Sequence, residues 1–180
     1  MKAMLLLGLV AGTTVFAQGV SVTLKVDVVS ETDTTTKGGS TGTPLQTVQQ
    51  NKSLQITLAN AGQRELPDLN VVYYIFAKDI RTKDVVLAKK GQQTTTVKSL
   101  GKVTLNTESA MLSSHSSQTK KTEGHFQTTP AGGTKYYGYG VQVLSGERVL
   151  AERFDPLELK ASIGLSEAAP PSTKAKKKSD

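Results

Sequence analysis

The chain has 180 residues and contains neither cysteine nor tryptophan. Without a thiol there can be no disulfide, no thiol nucleophile, no thiolate metal site and no lipid-modified cysteine. Histidine is almost as scarce, with only His115 and His125 present. They lack the close spacing of known ligand motifs and a fixed carboxylate partner, so they read as solvated loop residues. A metal pair or a pH-sensing pair is the weaker alternative. No Gly-x-Ser-x-Gly elbow is present, and neither Gly38-Gly39 nor Gly132-Gly133 leads into a Lys-Ser/Thr pair. Hydrolase elbows and phosphate loops are therefore set aside. After residue 17 no apolar run approaches the roughly 20 residues of a membrane-spanning helix. Nothing remains from which to nominate a catalytic residue, a cofactor or a metal, and the protein reads as non-enzymatic.

What is present begins at the N-terminus. Met1-Lys2 gives a positive start, Met4 to Val10 is a short apolar run, and Val15-Phe16-Ala17 places small residues where a signal peptidase reads. Residues 1–17 are thus expected to be a secretory signal peptide, with the mature protein starting at Gln18. An exported domain without disulfides must rest on core packing alone, which suits a bacterial source. The net charge is +7. Outside the cytoplasm the polyanions on offer are lipopolysaccharide, wall polymers and acidic glycans rather than nucleic acid, although solubility alone accounts for the charge more simply. Lys174, Lys176, Lys177 and Lys178 cluster in the last eleven residues. Residues 161–180 read as a disordered tail that would tether the domain loosely to an anionic surface.

Between these ends the dominant period is two. Val20, Val22, Leu24, Val26 and Val28 alternate with polar residues, and so do Leu54, Ile56 and Leu58, the pattern of half-buried strands. Residues 69–77 are apolar on both faces, as in a central strand, and residues 84–88 return across a turn at 79–83. Residues 94–97 and 102–105 read as short strands with Gly101 as a bulge or bend between them, and 126–128 is a weaker candidate. Tyr137, Tyr139, Val141 and Val143 share one face of a hairpin turning at Ser145-Gly146-Glu147. The polar segments 30–43 and 109–124 read as loops outside the core. About seven to nine strands with almost no helical period predict an all-β, single-domain sandwich over residues 18–160.

Leu54-x-Ile56-x-Leu58-x-Asn60-x-Gly62, then Leu66-Pro67-Asp68 and Val71-x-Tyr73, resemble two successive strands of bacterial immunoglobulin-like modules. The Tyr-Gly-Tyr-Gly-Val hairpin resembles their last two strands. Within that group the chain is similar to short secreted immunoglobulin-like proteins of verrucomicrobial bacteria, some encoded beside type IV pilus genes. The resemblance implies an Ig-like sandwich and an envelope location, and it brings no catalytic residues. Antibody-type domains pin their core with a Cys pair and a Trp; here Tyr73 is expected to be the core aromatic, with Tyr137 or Tyr139 as a tyrosine corner. A pilin would keep its apolar helix after cleavage, whereas this apolar run precedes the expected cut.

Three further clusters bear on function. Glu147 and Glu152 flank the last hairpin beside Arg148 and Arg153 and read as alternating surface charge rather than a glycosidase pair. Asp27, Glu31 and Asp33 lack the spacing of a calcium loop. The five tyrosines fall in two segments, and alternation puts Tyr74 and Tyr136 on the face opposite Tyr137 and Tyr139, with Gly138 and Gly140 leaving room beside Tyr136 or admitting a neighbouring backbone. Tyr74, Tyr136 and the four tail lysines are therefore the candidate ligand residues, suited to an anionic glycan. The expectation is an exported structural or interaction module of the periplasm or cell surface, partnered by an envelope or pilus-associated protein through a sandwich edge. The alternative is a glycan- or polyanion-binding adhesin.

Overall fold

The computed structural model describes residues 22–37, 43–122 and 125–164. The expected signal peptide, most of the expected tail and its four lysines lie outside the described residues. Ten strands are described: β1 (Val22–Lys37), β2 (Leu45–Asn60), β3 (Leu66–Asp79), β4 (Val85–Val97), β5 (Lys102–Asn106), β6 (Ala110–His115), β7 (Gln118–Thr122), β8 (His125–Thr129), β9 (Gly132–Ser145) and β10 (Arg148–Asp155). A 3-10 turn, η1 (Leu157–Ser162), follows. Every pairing is antiparallel. The order β1-β2-β6-β9-β3-β4 forms one continuous sheet, with β5 added on β2 and β10 on β9, while β7 and β8 pair apart from it.

The main core forms where the apolar row of β2 meets one of the two apolar rows of β3. Val26, Leu54, Ile56 and Leu58 from β1 and β2 meet Leu69, Val71, Tyr73, Ile75, Tyr139, Val141 and Val143 from β3 and β9 in a single core. Tyr73 is the core aromatic as expected, 2% exposed. Its neighbours Tyr74 and Phe76 face the other way, into a second cluster with Leu87, Phe154 and Leu159. That is why residues 69–77 are apolar on both faces: each face has its own cover. The second cover is η1, whose Leu159 is 1% exposed.

Two buried polar side chains set where strands end. Asn60 closes β2: its carboxamide donates to the carbonyls of Arg64 (2.7 Å) and Lys98 (3.1 Å) and accepts the Gly62 N–H (2.8 Å). Thr107 lies where one side of β2 changes partner. Residues Thr47 to Lys52 pair with β6 and Gln55 to Ala59 with β5. Between them the Leu54 N–H donates to Thr107 Oγ1, and the Leu54 carbonyl accepts the Thr107 N–H, each at 2.9 Å. One threonine thus supplies the rung that neither strand reaches.

Several expectations need correction. The polar segment 30–43 is a strand as far as Lys37, paired residue for residue with β2; its pattern is silent because residues 30–37 are exposed on both faces. Segment 109–124 holds β6 and β7, and Ala110, Leu112 and Ser114 of β6 are buried. Small residues hid that alternation. Residues 85–97 form one strand rather than two fragments, and the bend after it comes at Leu100, which has φ 53°. The domain runs past residue 160 into η1, with Ile163 packed on the second cluster.

Thr107→Val keeps the shape of the side chain but leaves the buried Leu54 N–H without an acceptor. It is expected to lower stability by about 1–3 kcal/mol, read from urea unfolding, whereas Thr107→Ser, which keeps the accepting hydroxyl, is expected to retain most of the wild-type stability.

Candidate interaction surfaces

The structure separates the two candidate tyrosines. In β9 the register against β3 slips by one residue, so that Phe76 pairs with Gly138 but Ala77 pairs with Tyr136, and Tyr137 bulges out. The extra residue inverts the alternation. Tyr136 therefore packs with Tyr139 against the main core, whereas Tyr137 turns to the second cluster. Tyr74 is on that second side, 4% exposed and stacked on Phe76 at 6.2 Å. The expected pairing of Tyr74 with Tyr136 on one face does not occur, and it is Tyr74 and Tyr137 that share a side.

Gly138 and Gly140 are not open space either. A Cβ at Gly138 would be driven into the Asp155 carbonyl oxygen, and one at Gly140 into the Phe154 ring. Gly138 admits the backbone at the end of β10, the second of the two uses expected for the pair, while Gly140 admits the Phe154 side chain.

Each of these rings already carries a cation from its own chain. Lys52 Nζ lies 5.2 Å from the Tyr136 ring, Lys78 5.1 Å from Tyr137 and Lys90 5.6 Å from Tyr74, within cation–π range. Lys52 also donates to Ser30 Oγ at 2.6 Å. Burial, with Tyr139 and Asp155 nearby, pushes the Tyr136 phenol up to about 12. The Tyr137 hydroxyl donates to Glu158 at 2.9 Å, which raises its pKa and fastens η1 to the sheet. These contacts read as packing and latching. Cross-strand lysines were not anticipated, since nothing in local spacing announces a lysine from a distant strand.

The remaining clusters disperse. His115 sits on β6 against Gly132 and His125 opens β8, in different sheets. Asp27 pairs with Lys25 at 2.7 Å, while Glu31 and Asp33 follow along the same exposed strand. Glu152 bonds Lys160 and Gln142, and the lysine holds its carboxyl below the usual range. Among the described residues no group of three or more His, Cys, Asp or Glu is placed to hold a metal, and no described helix is long and apolar enough to cross a membrane.

The strand edges differ more sharply. β1, β4, β5 and β10 each pair on one side only. β1 carries Lys25, Asp27, Glu31, Asp33 and Lys37, β10 carries Arg148, Glu152 and Arg153, and β5 has five residues including Lys102. Charges and brevity are how natural sheets protect an edge. β4 differs. From Gly91 through Gln92, Gln93, Thr94, Thr95 and Thr96 to Val97 it has no charge and no proline. Gln92, Thr94 and Thr96 are exposed. Across the sandwich it is touched by side chains: Gln93 Nε2 donates to the Asn106 carbonyl at 3.0 Å, and Lys89 pairs with Glu108 at 2.7 Å.

No family model matches the chain and no curated protein matches it. Among solved structures it is similar to the X-ray structure of Northeast Structural Genomics Consortium target SoR45, at 13% identity and a TM-score of 0.26, over 63% of this chain and 83% of that one.

The elevated Tyr136 pKa has a pH consequence. An unfolded phenol ionises near pH 10, so the stabilisation from a neutral, buried Tyr136 is complete below about pH 10 and lost as pH rises toward about 12. Titration at 295 nm is expected to show a phenol ionising near pH 12 that Tyr136→Phe removes.

Proposed function

We propose that the protein is an exported, non-enzymatic, Ig-like interaction module of the bacterial cell envelope, which takes up an extended strand of a partner along β4. The supporting observation is the contrast between edges: charges or shortness guard β1, β5 and β10, and seven successive residues of β4 carry neither charge nor proline. A strand edge presents a row of unused N–H and C=O groups that another chain can complete. Gln and Thr flanking it offer side-chain hydrogen bonds to either sequence face of an incoming strand. An adhesin built on the tyrosines has less to support it, because Tyr74 is buried and Tyr136 faces the other layer beneath Lys52.

The test is photo-crosslinking in cells, with the crosslinking residue placed at Thr96 on β4 or at Thr23 on β1. A discrete protein adduct is expected from Thr96 and none from Thr23, and Thr94→Lys is expected to suppress it. Equal adducts from both positions, or none from Thr96, would rule out the β4 edge as the docking site.

A further inference from the structure

The neutral run of β4 is bracketed by cations, and the bracket specifies the partner. Lys90 precedes the run and Lys98 follows it, both exposed. Lys90 Nζ is held near the strand by the Tyr74 ring at 5.6 Å. Lys102, the first residue of β5, follows directly on Gly101, whose N–H donates to the Lys98 carbonyl at 3.0 Å. Glu108, beside Lys89 just before the run, is already engaged by that lysine, which holds its carboxyl below the ordinary range. Within the strand itself there is no acid. An incoming strand therefore meets an uncharged middle and a positive charge at each end.

Building on the proposed strand addition, we infer that the partner segment is an extended peptide with an uncharged, β-branched centre and acidic residues at both ends. Its main chain pairs with Gln92 to Thr96, and its terminal carboxylates lie beside Lys90 at one end and Lys98 with Lys102 at the other. A second copy of this chain fits less well. The protein carries a net charge of +7, so two copies repel at long range. Two β4 strands paired about Thr94 would also set Lys90 of each against Lys98 of the other, like charges directly opposite.

The experiment uses the purified protein and three labelled nonapeptides sharing a Thr-Val-Thr-Val-Thr centre, with Glu-Glu, Ser-Ser or Lys-Lys at each end. Binding is read by fluorescence anisotropy, and the site by amide shifts of residues 92–96. The acidic peptide is expected to bind at least about tenfold tighter than the serine peptide at low salt, through several exposed ion pairs of modest strength each. The preference should fade at high ionic strength. Lys90→Glu with Lys98→Glu, both at exposed positions, is expected to reverse the order so that the lysine-ended peptide binds best. Equal binding of all three peptides at β4 would overturn the charge inference and leave strand addition standing. Binding of none would overturn both. A dimer by light scattering that the acidic peptide fails to dissociate would assign the edge to a second copy instead.

Discussion

The bond from the Leu54 N–H to the Thr107 hydroxyl is where the architecture is decided. β2 pairs with β1 along its whole length, and on its other side it must serve two strands that diverge. β5 remains with the main core, whereas β6 continues to β9 and joins the two layers through Ser114 and Gly133. At the point of divergence a backbone pair in the interior would go unmet, and an unmet buried amide costs more than an ordinary hydrogen bond contributes. Thr107 meets both groups with its own N–H and hydroxyl, and the hydroxyl in turn donates to the Glu108 carbonyl. Asn60 does the same for the other end of β2. The sandwich closes because its longest inner strand has no loose rung.

Where apolar alternation was strong, the fold could be read directly. Val22 to Val26, Leu54 to Leu58 and Val141 to Val143 each became strands with the expected row inward, and Tyr73 took the core position, whereas Val28, expected in the same row, is exposed. Reading failed where alternation was the wrong instrument. Residues 30–37 have two wet faces and no hydrophobic row to display, and β6 alternates with alanine and serine, whose burial leaves little trace in a hydropathy pattern. The bulge at Tyr137 is a different kind of failure. Period-two reasoning assigns every later or earlier residue from one fixed phase, and a single unpaired residue reverses the assignment. Tyr136 was placed on the wrong side for that reason alone.

The β4 edge was hidden in a similar way. Lys89, Lys90 and Gly91 interrupt the apolar pattern and split one strand into two apparent fragments, and a fragment of four residues shows no long edge. Which edges stay unpaired is a property of topology and cannot be read along the chain. Once the order of strands is known, the absence of charge between Gly91 and Val97 becomes informative, because the other edges show how this sequence protects itself.

The far half of the β1–β2 ladder has a consequence for how the molecule comes apart. Residues 30–37 of β1 rise about 3.4 Å each, and Lys37 lies roughly 37 Å along the strand from Val26, the last β1 residue in the core. They are held by ladder hydrogen bonds with almost no apolar burial behind them. Opening free energy should accordingly fall along the arm, from the global value near Val26 toward very little at Lys37. The ladder can unzip from its tip while the body stays folded. Its outer end is thus free to exchange one set of backbone partners for another without drawing on the stability of the sandwich.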